Sequence, residues 1–350
     1  MLIGVDANEA NIKERVGCNE FAFQVLQQLF KQGNNHHWTI YLSSAPMPDL
    51  PKPKTNWKYR ILKPEFFWTQ WRLPVDLWIH QPRPDLFLTL GHYAPRFSPI
   101  PSMICIMDLA FLKFPETFRR RDLWQLTNCT KYSVKKAKHI FAISEATKKD
   151  IASVYHVSAG KISLAYPGVG HLATAGTTPV KGKYLLYVGT LQPRKNLDAL
   201  ISSITPLRCN LVVAGKIGWK YQPQTGPEIN YLGYVPDNQL GILIKNSQGL
   251  ILPSLYEGFG IPVVQAMSLG VPVLVSRNSS LPEIVGDCGL YIEPPFDVPA
   301  IRDGLKKLLA LSAGQRQVLS QKAKQRAKIF KWTATGRKFL EVINGFKNIA

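Results

Sequence analysis

Apolar residues in the first half of the chain fall into short runs: LIGVDA, WTIYLSS, WKYRILK, PDLFLTL, SMICIMDL and HIFAIS. Each is too short for a core helix and is bounded by turn residues or polar stretches, which predicts β-strands. Between them FAFQVLQQLF repeats its apolar positions at helical spacing and stops at Gly33. Strands that alternate with helices predict a parallel sheet covered on both faces. The pattern lapses over 166–182, where Gly, Pro, Thr and Ala dominate without any period. Such a stretch reads as an interdomain connection. It then restarts with KYLLYVG, CNLVVAG, INYLGY, GLILPS and VPVLVS, and from about 298 to 347 the spacing is helical. The expectation is α/β throughout: two doubly wound, Rossmann-like domains facing across a cleft. Ligands of such sheets bind outside the carboxyl ends of the strands.

Length agrees with this division, since 350 residues exceed what one hydrophobic core usually organises. With 45% hydrophobic and 19% charged residues the chain reads as globular rather than disordered or fibrous. Five well-separated cysteines, none in a Cys-x-x-Cys pair, are expected to be buried free thiols in a reducing compartment. The opening MLIGVDANEANIKE reads as a first strand rather than a secretory signal. The charge-free stretch 258–276 is broken by glycines and prolines, which suits loop, helix and strand rather than a spanning helix. A formal net charge of +20 narrows the partners to polyanions, phosphorylated ligands or anionic lipid. The excess is concentrated. Residues 119–149 carry nine Lys/Arg against Asp122 and Glu145.

Two stretches carry the candidate chemistry. In LPSLYEGFGIPVVQAMSLGVPVLVS, residues 252–276, a strand runs into a glycine loop, Pro262 opens a helix and Gly270 closes it. Glycines admit close approach of backbone amides, and a helix N-terminus adds about half a positive charge, so the turn suits a phosphate. In LLYVGTLQPRKNLDALISSI, residues 185–204, a strand ends at Gly189, and Arg194 and Lys195 follow in the loop. Adjacent cations at that place suit two phosphates, Arg through its planar fork.

With YVGTLQPRKNL, LGYVPDNQL, LPSLYEGFGIPVVQAMSLGVPVLVS and SSLPEIVGDCGLYIEP in this order, the second half resembles family 4 of the retaining, GT-B-fold glycosyltransferases. The first half resembles it more loosely, through a glycine loop near Gly17, WTQWRLP, PDLFLTL, MDLAFLKFPETF and AISEATKKDI. It is most similar to the mannosyltransferase-like enzymes of polysaccharide biosynthesis. The resemblance implies an acceptor-side domain over 1–170 plus about 332–350, the final helix crossing back to it. It implies a nucleotide-sugar-binding domain over 180–331. Glu257 is then expected to hold donor-sugar hydroxyls, while amides of Gly258, Phe259, Gly260, Ile261 and Pro262 contact sugar and diphosphate. Arg194 and Lys195 neutralise the leaving diphosphate, Gly189 and Thr190 line the donor site, and Tyr234 and Val235 receive the base. Gly17 and Cys18 sit where the family's first loop reaches the phosphates, and Met107 and Asp108 fall on the acceptor or sugar side.

This sequence departs from the family pattern twice. Gln265 replaces the second carboxylate of the Glu-x7-Glu motif, so one ribose contact becomes an amide that accepts one bond and donates one. Met107 replaces the subgroup's usual His before Asp, and a thioether cannot hydrogen-bond sugar or phosphate as imidazole does. A glycoside hydrolase would need two flanking carboxyl groups; Gln265 leaves one. No Asp-x-Asp occurs, so no divalent-metal clamp is expected and no cofactor beyond the nucleotide sugar. The implied reaction moves a hexose, with GDP-mannose the favoured donor, to a glycan or lipid-linked acceptor with retention. A weak or inactive nucleotide-sugar-binding scaffold is the alternative, motivated by Met107 and Gln265. The aromatic run Phe66, Phe67, Trp68, Trp71 and Trp78 is expected to pack in the core. Arg119, Arg120, Arg121, Lys131, Lys135, Lys136 and Lys138 are candidates for an anionic membrane surface. No nucleic-acid motif is present, and the expected location is cytoplasmic, at the inner membrane face.

Overall fold

The computed structural model describes residues 1–170 and 172–347. His171, inside the predicted connection, and residues 348–350, at the end of the predicted first domain, lie outside the described residues. The chain divides into two units. The first comprises Met1–Leu112, Arg120–Gly168 and the chain from Trp332 onward; the second comprises Lys113–Arg119 and Val169–Lys331. The seven residues 113–119 therefore group with the second unit, which the pattern of apolar runs gave no reason to expect.

In the first unit seven parallel strands, β1 (Leu2–Asp6), β2 (His37–Leu42), β3 (Trp57–Ile61), β4 (Leu86–Thr89), β5 (Ser102–Ile106), β6 (His139–Ala142) and β7 (Ile162–Leu164), order as 3-2-1-4-5-6-7. Five helices connect them: α1 (Cys18–Gln32), α2 (Leu73–Ile79), α3 (Ala110–Lys113), α4 (Arg120–Lys136) and α5 (Glu145–Tyr155). β4 and β5 are buried along their whole length, as the apolar runs require of a sheet covered on both faces. In the second unit β8 (Leu185–Val188), β9 (Leu211–Ala214), β10 (Ile229–Gly233), β11 (Leu250–Leu252), β12 (Val273–Ser276) and β13 (Leu290–Ile292) order as 10-9-8-11-12-13. Its helices are α6 (Leu197–Ile204), α7 (Asp237–Asn246), α8 (Ile261–Leu269), α9 (Leu281–Val285), α10 (Val298–Leu309) and α11 (Ala313–Ala327). Both orders reverse direction once, β1 beside β4 and β8 beside β11, and that reversal is where doubly wound sheets bind ligands. β7 and β13, three residues each, are absent from the reading of the sequence.

The last helix, α12 (Trp332–Lys347), belongs to the first unit. Phe339 stacks on Phe141 of β6 with ring centres 3.9 Å apart, and Phe21 of α1 meets both Trp332 and Phe339. Its amphipathic spacing thus buries an aromatic face against α1 and the sheet.

Two expectations fail. All five cysteines are free, but Cys18 is exposed and Cys209 half-buried. Of the aromatic run only Trp68 joins the core, with Tyr41, Leu62, Leu73, Leu77, Phe87 and Ile100, while Phe66, Phe67, Trp71 and Trp78 face water. The segment is a single π turn, Trp68–Arg72, running into α2. One such rod has one inward stripe, which Trp68, Leu73 and Leu77 fill, and the remaining rings must point out.

Candidate active site

The loops after β8 and β11 emerge side by side at the strand reversal of the second unit. After β8 the chain passes Gly189 and Thr190 into a 3₁₀ turn, Pro193–Lys195. Asn196 closes that turn in the left-handed region (φ 59°) and ties it down, its amide donating to the carbonyl oxygens of Pro253 (3.1 Å) and Pro295 (2.8 Å). The turn is thereby fixed to the loop that follows β11. That second loop, 253–260, starts α8: Gly260 (φ 108°) caps the helix, Pro262 occupies its second position, and Gly270 (φ 72°) ends it. A Cβ on Gly260 would sit 3.0 Å from Leu281.

Glu257 pairs with one of the two cations predicted to be near it, and the other binds the loop that carries it. Lys195 Nζ lies 2.5 Å from its Oε1 and 2.7 Å from its Oε2, and the Ser254 hydroxyl donates to Oε1 at 2.7 Å. Arg194 reaches the same loop by its main chain and side chain: Nη1 donates to the Tyr256 carbonyl (2.9 Å), while its own carbonyl accepts from Leu255 N (2.9 Å). Behind the loop, Asn278 donates to the carbonyls of Ser254 and Leu255, Ser279 Oγ accepts from Glu257 N, and Ser280 donates to the carbonyls of Glu257 and Phe259. Glu257 is only 6% exposed. Its partners there, the Lys195 ammonium and the Ser254 hydroxyl, give it charge-assisted hydrogen bonds in place of water.

Two polar atoms of this site are buried without a hydrogen-bond partner: Arg194 Nε and the Tyr187 hydroxyl. Tyr187 lies near the end of β8, and its hydroxyl is 3.5 Å from where a Cβ on Gly189 would stand. Burial first, then the Glu257 carboxylate, push its phenol well above the ordinary range. A buried unpaired donor costs about 1–3 kcal/mol, and both of these stand beside the Glu257 loop. The net charge of Arg194, Lys195 and Glu257 is one positive, and it rests on Arg194.

The other predicted residues of this unit lie on neighbouring turns. Gly189, Gly215 and Gly233 end or follow β8, β9 and β10; Gly189 N donates to Ala214 O and Gly215 N to Gly233 O. Tyr234 and Val235 follow β10, half-buried, with the Lys216 ammonium 5.0 Å above the Tyr234 ring. Gln265 is half-buried on α8, little more than one turn along from the glycine loop. Tyr187, Gly215 and the Asn278-Ser279-Ser280 buttress were not singled out from the sequence. A polar run directly after a buried strand was the available signal for the last of these.

Gly17, Cys18, Met107 and Asp108 belong to the first unit and gather at its own strand reversal. Gly17 (φ 52°) caps α1, leaving open space where a side chain would be. Cys18 Sγ is 3.9 Å from Glu9 Oε2, which also accepts from Asn19. Cys18 is exposed as a residue, but burial around its thiol, then the charges of Glu9 and Asp108, push the thiol up to about 12. Asp6, at the end of β1, is pushed up to about 7 by burial and by Glu9, against hydrogen bonds from Asn8. Asp108 accepts from Ala110 N, and Met107 is buried, its carbonyl accepting from Thr147. His92 borders the group; its Nδ1 is buried without a partner, and its basicity is lowered by burial against the opposing pull of Asp108. Carboxylates predominate here, an environment for hydroxyl groups rather than for phosphate.

The family model described as glycosyl transferases group 1 matches residues 174–326. That span holds Arg194, Lys195, Glu257 and their whole supporting shell. Over residues 174–326 the chain is thus similar to group 1 glycosyltransferases. The chain is 31% identical over 250 residues to O-antigen chain mannosyltransferase B of Escherichia coli, covering 64% of this chain and 65% of the relative. It is 30% identical over 201 residues to the O-antigen chain mannosyltransferase RfbU of Salmonella typhimurium, covering 55% and 56%. The chain thus spans less than two thirds of the length of these curated relatives. Over the whole chain the GT-B glycosyltransferase fold is that of solved structures. Sucrose-phosphate synthase from Thermosynechococcus elongatus superposes with a TM-score of 0.78 at 16% identity, covering 100% of each chain. Anabaena HepE, solved in complex with UDP and glucose, gives 0.73 at 14% identity, covering 98% of this chain and 99% of that one.

Proposed function

We propose that the protein is a retaining hexosyltransferase of the family 4 type, moving a hexose from a nucleoside diphosphate to a glycan or lipid-linked acceptor. The observation that carries the reading is the Arg194–Lys195–Glu257 constellation at the strand reversal, with Arg194 Nε and the Tyr187 hydroxyl buried and unpaired beside it. GDP-mannose is the favoured donor, supported by the mannosyltransferases among the relatives; a UDP-sugar is the competing choice, as HepE is solved with UDP-glucose.

In this mechanism Arg194 and Lys195 stabilise the charge that grows on the departing diphosphate, aided by the amides at the start of α8. Glu257 has two tasks: it orients Lys195, and its remaining lone pairs accept hydroxyls of the donor sugar. Tyr234 and Val235 receive the base, and Gln265 contacts the ribose. The departing phosphate oxygen takes the acceptor hydroxyl's proton as the new glycosidic bond forms on the same face, so the protein's work is positioning and charge stabilisation. Metal independence follows if these cations suffice. On the first unit, Asp6, Glu9, Asp108 and His92 suit hydroxyl groups of an acceptor. The chain would work in the cytoplasm at the inner membrane face; no helix among the described residues is long and apolar enough to cross a membrane.

Calorimetric titration with GDP-mannose, UDP-glucose and the free nucleotides, followed by transfer assays with and without chelator, tests the reading. Binding of a nucleotide sugar with chelator-resistant transfer is expected. Binding without hydrolysis or transfer across a broad donor and acceptor panel would favour the scaffold alternative, and no binding at all would end both.

A further inference from the structure

The seven residues 113–119 belong with the second unit, although the chain on either side of them belongs to the first. They lie against two loops of the candidate active site. Their middle is a 3₁₀ turn, Pro115–Thr117, in which Thr117 N and Thr117 Oγ1 both donate to Phe114 O (3.0 and 2.7 Å). The loop after β9 grips this turn by two of its carbonyls. Trp219 Nε1 donates to Thr117 O (2.6 Å) and Lys220 Nζ to Glu116 O (2.6 Å), and the Phe118 ring lies 5.8 Å from that of Trp219. At the other end of the segment Phe114 meets the Tyr256 ring with centres 6.2 Å apart, and the Lys113 ammonium stands 4.9 Å above that ring.

Both loops lead directly to the charged groups. Tyr256 precedes Glu257, is 4% exposed, and its carbonyl accepts from Arg194 Nη1. The loop after β9 is stitched to the turn that carries Arg194 and Lys195: Leu191 N donates to Lys216 O and Gly218 N to Leu191 O, both at 2.9 Å, and the Tyr221 hydroxyl donates to Asp198 on α6. A Cβ on Gly218 would fall 2.6 Å from Leu191 O, so no slack separates the two. The segment itself stands mostly in water: Lys113, Pro115, Glu116 and Arg119 are exposed, and Thr117 alone is buried. It therefore adds little to the core, and what it fixes is position. Groups that act on a bound substrate must be held to within about 0.5 Å by neighbours that are themselves held.

We propose that residues 113–119 are a positioning strap for the donor site, latched by Trp219 and pressed on Tyr256 by Phe114, and that a bound nucleotide sugar and the latched strap stabilise each other. Trp219 and Phe114 are positioning residues: they act through the 190–195 turn and through Tyr256 rather than on the substrate. The inference rests on the transferase reading of Arg194, Lys195 and Glu257, and it adds residues that reading does not use. Coupling between two equilibria is reciprocal, so whatever the strap adds to ligand affinity the ligand returns to the strap.

The test uses the full chain with GDP-mannose and UDP-glucose and reads two quantities: affinity by calorimetric titration, and amide hydrogen exchange over residues 113–119. In the wild type, whichever nucleotide sugar binds should slow exchange in that segment. Trp219→Ala should weaken its affinity roughly 3- to 10-fold, the scale of one neutral hydrogen bond with a ring contact, and should abolish the protection. Trp219→Phe keeps a ring and loses only the bond, so it should recover part of both. Phe114→Leu should weaken nucleotide-sugar binding while leaving affinity for guanosine or uridine unaltered, since it acts on Tyr256 alone. A wild-type melting temperature verifies that each variant is folded; a merely structural role would lower that temperature with affinity and protection unmoved. A wild-type chain that binds a nucleotide sugar without slowing exchange over 113–119 overturns this inference alone, and so do variants that bind and protect as the wild type does. No binding by the wild type overturns the transferase reading and this inference with it.

Discussion

Lys195 has two separable roles, structural in its pair with Glu257 and functional toward a diphosphate, and Lys195→Gln tests both at once. In the folded protein both side chains are largely withdrawn from water, 14% and 7% exposed. Replacing the ammonium by an amide leaves the Glu257 carboxylate with Ser254 and a neutral donor, and breaking a buried pair from one side costs about 3–5 kcal/mol. Diphosphate binding should weaken independently, since one charged hydrogen bond is worth about 1.5–3 kcal/mol, or roughly 10- to 150-fold. The double variant Lys195→Gln/Glu257→Gln separates the effects. It removes the unpaired charge, so urea denaturation should show stability restored to within about 1 kcal/mol of wild type. Titration should still show weak nucleoside diphosphate binding, with affinity for the bare nucleoside unaltered. If the double variant regains full diphosphate affinity along with its stability, Lys195 is only a structural partner of Glu257. The phosphate assignment would then be wrong.

Gly215→Ala probes how tightly the turns after β8 and β9 are pressed together: its Cβ would fall 1.9 Å from Gly189 O and 2.6 Å from Gly189 C. Backbone must shift, at a cost of about 1–3 kcal/mol, and titration should show weaker nucleotide-sugar binding because the Gly189–Thr190 turn moves with it; wild-type stability and affinity together would refute the packing. The Asp6 carboxyl, pushed up to about 7 from an unfolded value near 3.8, binds its proton more readily when folded. Its contribution is thus complete below the unfolded value and is lost as pH rises through 7, amounting to about 2–3 kcal/mol between pH 5 and pH 8. Asp6→Asn should abolish that slope in urea denaturation at the two pH values, and an unchanged slope would show that Asp6 titrates as an ordinary surface carboxyl.

Much of this protein is written locally. Strand runs such as PDLFLTL and VPVLVS declare themselves because a sheet buried on both faces tolerates little but apolar residues, and Gly33 and Gly270 end helices by backbone chemistry alone. Arg194 and Lys195 were legible for the same reason, lying at a strand end where a cation cluster has no packing role, while Glu257 was singled out only by the family resemblance. Contacts between distant segments were not. Nothing local says that Lys195 would clasp Glu257, 62 residues further on, or that Asn278–Ser280 would brace the glycine loop. Nor could spacing reveal that Trp71 and Trp78 face water: hydrophobicity states a preference for burial, but a rod with one inward stripe has room for only some of its rings. The outward ones are decided by which neighbours the fold supplies, and that is a property of three dimensions rather than of order along the chain.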